Sequence, residues 1–131
     1  MRTYTMLVKV EETDLDELQH VNNIKYVEWI QKVSKDHWLQ VAKQNALHDF
    51  IWVVREHRIT YYSGAKRDDE LRIQTEIIHS KGSISTRKVS MRNNKTDQLV
   101  VSSETDWCLL NAKTMKPTRI PASIKNLFAA P

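Results

Sequence analysis

From Asn23 to Gln44 the chain runs without glycine or proline, and its apolar residues recur with helical spacing at Ile24, Tyr26, Val27, Trp29, Ile30, Val33, Trp38, Val41 and Ala42. Lys25, Glu28, Gln31, Lys32, Lys35, Asp36 and Gln40 take the remaining positions. This pattern predicts one helix of about 20 residues, roughly 30 Å long, with a broad apolar face. A polar stop is expected at Gln44-Asn45. His37 falls on or beside the apolar stripe and is read as a satisfied, partly buried residue without chemistry.

A stripe that long needs a surface to cover it, and the other segments offer strands. Thr3 to Glu11 alternates weakly. Phe50 to Ser63 is rich in β-branched and aromatic residues, interrupted by Arg55, Glu56, His57 and Arg58, so it is expected at a sheet edge or along a polar site. Gly64 to Asp69 forms a turn. Leu71 to Ile77 alternates cleanly, Ser80-Lys81-Gly82 is a candidate hairpin turn, and Ser83 to Arg92 follows with Ile84, Val89 and Met91 inward. After a turn at Asn93 to Asp97, Leu99 to Leu110 is the longest regular strand. One helix among four or five antiparallel strands is an α+β pattern in which the sheet can wrap the helix.

Between the first strand and the helix lies Asp16-Glu17-Leu18-Gln19-His20-Val21-Asn22-Asn23, where the functional reading concentrates. Asn22 is suited to cap the helix, since its side-chain oxygen can accept from first-turn amides. The helix start aims free N–H groups and a partial positive charge outward. A carboxylate able to act on water, beside donors able to hold an oxyanion, suits ester or thioester hydrolysis. An Asp and a His in such a loop can equally be a turn former and a surface residue.

The string Asp16-x-x-x-His20-Val21-Asn22-Asn23-x-x-Tyr26 resembles the signature of hotdog-fold acyl-CoA thioesterases of the 4-hydroxybenzoyl-CoA thioesterase type, a family that includes bacterial acyl-CoA and acyl-carrier-protein thioesterases. The order of elements, Asp69-x-Leu71, and the tail Lys116-Pro117-Thr118-Arg119-Ile120-Pro121 extend the likeness over nearly the whole chain. The resemblance implies a hotdog fold, an antiparallel sheet around one long central helix, as a single domain over residues 1–131. It implies Asp16 as general base or nucleophile, an amide near Asn23 as oxyanion donor, and His20 as an orienting residue or a structural one. Asn22 is read as the cap and Tyr26 as a wall of the acyl pocket or part of the core. His57 stands on a strand that borders the active site in relatives. Lys66, Arg67, Lys81, Arg87 and Lys88, placed around two turns, are candidates for the phosphates of coenzyme A. Gln19 departs from the pattern: glycine is usual there, and the larger residue resists a positive φ, which predicts a different loop path.

The substrate implied is an acyl-CoA thioester, with a medium or long fatty acyl chain preferred over an aromatic one and acyl carrier protein as the alternative thiol carrier. Coenzyme A belongs to the substrate, so no separate cofactor is expected. The five histidines show no metal-ligand spacing. A homodimer or tetramer follows from the family's edge-to-edge joining of sheets. A non-catalytic acyl-CoA-binding module on the same fold is the competing class.

Composition narrows the remainder. The net charge of +4 suits a polyanionic ligand, yet no zinc-finger spacing, phosphate-binding loop or aromatic RNA-binding signature is present, so nucleic acid is not expected. Two glycines and three prolines leave no linker-like run. Met1 to Val10 is too short and polar for a signal-peptide core, and no apolar run approaches the ~20 residues of a membrane span. A cytoplasmic protein without membrane insertion is expected. The single cysteine, Cys108, lies within a strand pattern and is assigned to packing.

Overall fold

A computed structural model describes residues 1–129. The elements run β1 (Thr3–Lys9), a 3-10 turn (Glu12–Asp14), α1 (Asn23–Gln44), β2 (Phe50–Tyr61), β3 (Glu70–Lys81), β4 (Ile84–Asn93), β5 (Leu99–Asn111) and α2 (Ala122–Leu127). The five strands form one antiparallel sheet in the order β1-β3-β4-β5-β2. Consecutive strands β3, β4 and β5 are neighbours through short turns, whereas β1 and β2, on either side of the helix in sequence, occupy the two edges. The chain therefore leaves β1, crosses one face of the sheet as α1, and returns at the opposite edge.

Helix α1 buries Tyr26, Trp29, Ile30, Val33, Ser34, His37, Val41 and Ala42, a stripe that repeats every three or four residues. Ile24, counted with the stripe from sequence, is exposed, because two residues before Tyr26 it falls on the opposite face of the helix. The facing strands contribute alternate residues: Leu71, Ile73 and Thr75 from β3; Ser85, Arg87, Val89 and Met91 from β4; Val101, Ser103, Thr105, Trp107 and Leu109 from β5. Ile84 thus lies off the buried register of β4. Its hairpin turn is Gly82-Ser83 rather than Ser80-Lys81-Gly82, since Lys81 still pairs with Ile84. Gly82 has φ +63°, the conformation a two-residue hairpin requires of its first central residue.

The core divides in two. One cluster gathers Tyr26, Ile30, Val33, Leu71, Ile73, Val89 and Met91; the other gathers Val41, Leu109, Ile120, Ile124 and Phe128, with Trp38, Phe50 and Trp52 against it. Between them lie buried Ser34, His37, Thr75, Ser85, Arg87 and Thr105. His37 is fully buried: its Nδ1 is 2.7 Å from Arg87 Nη1 and its Nε2 is 2.9 Å from the Met1 carbonyl. A guanidinium can only donate and a carbonyl can only accept, so the neutral tautomer protonated on Nε2 satisfies both. Burial, reinforced by the Arg87 charge, lowers the His37 pKa to about 4. α2 went unread in the sequence, being too short to show a period; it closes the second cluster through Ile124, with Phe128 just beyond its end.

Candidate active site

The Asp16 loop is a tight turn fixed almost entirely by its own backbone. Asp16 N–H donates to the His20 carbonyl (2.8 Å), Gln19 N–H donates to the Asp16 carbonyl (3.1 Å), and Leu15 bridges to Val21 on either side. The half-buried Asp16 carboxylate accepts at Oδ1 from the amides of Leu18 (2.9 Å) and His20 (3.2 Å). Oδ2 has no hydrogen-bond partner among the described residues. Two amides thus hold the carboxyl plane while one oxygen stays available to a ligand.

Gln19 takes φ +63°, the conformation in which glycine is usual, so the different path expected of this residue is not seen. The four backbone and side-chain hydrogen bonds of the turn hold it there against a penalty of roughly 1–2 kcal/mol for a side chain in the left-handed region. His20 meets Asp16 through its main chain, and its exposed imidazole makes no hydrogen bond to the carboxylate.

The helix begins as its cap chemistry dictates. Asn22 has extended backbone angles and its Oδ1 accepts from Ile24 N–H at 3.0 Å. The Asn23 N–H, next in line, has no acceptor among the described residues, and Asn23 is exposed. Asp14, the neighbouring carboxylate, is committed elsewhere: Oδ2 accepts from Glu11 N–H and Oδ1 faces Lys25 Nζ at 3.5 Å.

The segment after β2 docks onto this loop. Val21 N–H donates to the Ala65 carbonyl (3.0 Å), and Ala65 N–H donates to the Tyr26 hydroxyl (3.2 Å). Tyr26 is buried, with its ring 5.7 Å from Tyr61 and 5.9 Å from Trp29. Burial chiefly raises its pKa, with smaller contributions from Tyr61, Asp69 and Asp16. Gly64 lies under His20: a β-carbon there would stand 3.0 Å from the His20 ring, so only glycine admits this approach without displacing it. Nothing in the sequence marked Gly64 as more than a turn former, since the partner it accommodates is 44 residues away.

Of the other candidates, Lys66 and Arg67 sit on the exposed loop that carries Ala65, and Arg67 faces Glu12 at 3.9 Å. His57 lies within β2, half-buried, with Nδ1 2.7 Å from Thr105 Oγ1 and Nε2 buried without a partner; burial lowers its pKa. The charges around it resolve as ion pairs, Arg58 bridging Glu56 on its own strand and Asp106 across on β5. The remaining three do not form a surface patch around turns. Lys81 ends β3 at the hairpin. Lys88 stands exposed in mid-β4, paired in register with Glu76 and Glu104. Arg87 is no surface residue: it points to the other side of β4 from Lys88 and is 5% exposed. The period of two places adjacent residues on opposite faces, which excludes a joint role for that pair.

A cavity of about 260 Å³ opens between the second half of α1 and the start of β2. Trp38, Phe50, Trp52, Ile77 and Trp107 give the wall its aromatic and apolar character, with Leu39 and Lys35 also lining it. Periodicity could not have assigned these tryptophans to a cavity rather than to the core.

One long helix packed on a five-stranded antiparallel sheet, entered through the Asp16 loop, is the hotdog fold. The chain belongs to the thioesterase-like superfamily, whose family model matches residues 10–128. No curated protein matches it. Among solved structures it is similar to YbaW, a probable thioesterase from Escherichia coli (21% identity, 95% of each chain covered, TM-score 0.81). It is also similar to Slr0204, a 1,4-dihydroxy-2-naphthoyl-CoA thioesterase from Synechocystis (15% identity, 96% and 95% covered, TM-score 0.79). A third is SAV2348 from Staphylococcus aureus, solved in complex with CoA (15% identity, 95% and 80% covered, TM-score 0.84). At these identities the likeness is one of fold. Among the described residues no helix is long and apolar enough to cross a membrane.

Proposed function

We propose that the protein hydrolyses acyl-CoA thioesters, with Asp16 as general base and the Asn23 amide as oxyanion donor. The observation that carries this reading is the division of labour within one carboxyl group: Oδ1 is held by two amides and Oδ2 is left open, in the loop that leads through the cap Asn22 into α1. Asp16 takes a proton from water as its oxygen attacks the thioester carbonyl. The carbonyl oxygen gains charge against the amide, where a positioned donor is worth about 3 kcal/mol. Collapse of the tetrahedral species breaks the C–S bond, and the thiolate leaves with the proton. Lys66 and Arg67, on the exposed loop whose Ala65 meets Val21 and Tyr26, are the cations this reading assigns to the CoA phosphates.

The acyl group fits the cavity beside Trp38 and Trp52, but not from the same subunit. Along α1, Ser34 lies roughly 16 Å beyond Asn23 at 1.5 Å per residue. A second copy joined antiparallel along the free edge of β2 removes that gap. A two-fold axis near the middle of β2 sets the Phe50 end, where the cavity opens, beside the partner's Tyr61 end, where the Asp16 loop lies. Supporting this, Val53 and Tyr61 on β2 itself are large apolar side chains 41% and 46% exposed. The site is then shared, with the base from one subunit and the acyl cavity from the other, in a homodimer.

Release of free thiol from CoA esters running from acetyl to palmitoyl, plus benzoyl, tests this function. Turnover that peaks at one medium chain length is expected. No turnover with any ester by a folded dimer would move the reading to carrier-protein thioesters and then to a binding module.

A further inference from the structure

We infer that the cavity between α1 and β2 selects acyl groups whose far end carries a carboxylate, received by the Arg87 guanidinium; this rests on the reading of that cavity as the acyl site. The wall is aromatic and apolar, but its lining also includes Ser34, Ser85 and Arg87. Arg87 is 5% exposed, and no carboxylate lies within ion-pairing distance of it among the described residues. Its hydrogen bonds go to two neutral groups through one nitrogen, Nη1, to His37 Nδ1 at 2.7 Å and Thr75 Oγ1 at 3.3 Å. The face of Phe128 lies 5.7 Å from its central carbon. Nε and Nη2 have no acceptor among the described residues, so the donors of a bidentate fork are left for a ligand.

A buried cation without an anion is costly, and buried charges are as a rule paired. Burial holds the Arg87 pKa down at about 9, which still leaves it charged at neutral pH. A second donor on the same wall points the same way. Trp107 is 5% exposed, and its indole N–H is buried with no acceptor. An unpaired guanidinium fork at an apolar cavity matches an acceptor-bearing, anionic terminus, with the indole N–H of a wall residue as a further donor in want of an acceptor. A plain alkyl chain would leave the fork unmatched, while its methylenes would gain no more from the tryptophans than those of a carboxyalkyl chain.

The test compares octanoyl-CoA with its 7-carboxyheptanoyl counterpart, alike in length and different only at the far end. Wild type is expected to favour the carboxyl ester by about tenfold or more in kcat/KM, the worth of one charge-assisted pair. Arg87→Met should bring that ratio near one, and Trp107→Phe, which removes the N–H and keeps the ring, should lower it several-fold. A wild-type preference for octanoyl-CoA, or a ratio unchanged in a folded Arg87→Met protein, would overturn the inference. Binding separates it from the hydrolysis reading. Quenching of tryptophan fluorescence by octanoate but not by octanol, weakened at least tenfold in Arg87→Met, would sustain the anion site even if no ester were turned over. Equal quenching by octanoate and octanol would overturn it whatever the hydrolysis assay showed.

Discussion

At the scale of single residues, the site depends on backbone groups more than on side chains. Asp16 is held by amides of Leu18 and His20, so the nearby imidazole is not its hydrogen-bond partner. The sequence placed Asp16, Asn22 and the helix start next to one another because they are adjacent in the chain and cap chemistry is local. It did not show Ala65 or Gly64, which reach the same place from across the fold. Tyr26 joins the two segments, and Tyr26→Phe strands the buried Ala65 N–H. A loss of roughly 1–3 kcal/mol in chemical denaturation is expected, with an unchanged midpoint contradicting the structural role of that hydroxyl. Gln19 supplies the opposite test. At φ +63° glycine relieves the side-chain penalty but loosens the unfolded chain, so Gln19→Gly should shift stability upward by less than about 1 kcal/mol. A loss of several kcal/mol would mean the Gln19 side chain makes a stabilising contact.

At the scale of elements, periodicity located α1 and four of the strands, because each buries one face and its residues repeat accordingly, while β2 was legible from its β-branched and aromatic composition. The pattern could not say which polar residues belong to the buried face. His37 and Arg87 read as an incidental histidine and a surface cation, yet they lock α1 to β4 between two apolar clusters. Their pairing has a pH signature. The His37 pKa falls from 6.5 to about 4 on folding, so between those values the unfolded chain binds a proton that the folded chain does not. Stability is therefore full above pH 6.5 and is lost as pH falls towards 4, by at most roughly 3 kcal/mol. Melting temperatures over that range should slope less in His37→Gln than in wild type. Asp97 and Asp106, whose carboxyl pKa values are held down by Arg72 and Arg58, lose their contributions only below the ordinary carboxylate pKa. Identical slopes in the two proteins would remove His37 from the pH response.

At the scale of the whole molecule, the edge strand β2 sets what one chain can do. The cavity and the Asp16 loop lie near opposite ends of β2, so the proposed two-fold pairing is what brings a base to an acyl group. Sequence pattern left β2 either at an edge or along a polar site through its charged middle, where Val54 and Glu56 flank a bulge at Arg55. It could not show that the strand's two ends serve different halves of a site, since that follows from tertiary placement. Val53 is 41% exposed on this edge, and Val53→Lys places like charges near the two-fold axis. Sedimentation should show monomer, with turnover reduced tenfold or more. A monomeric Val53→Lys protein with wild-type turnover would show that each subunit works alone.

The most direct measurement is thiol release by wild type and Asp16→Asn on the best ester of the panel, with circular dichroism confirming that both are folded. Asn preserves the shape and can still accept from the Leu18 and His20 amides, but it cannot take a proton from water. Turnover is expected to fall by roughly 10² or more while melting behaviour stays close to wild type. Wild-type turnover in a folded Asp16→Asn protein would contradict the assignment of Asp16 as the base.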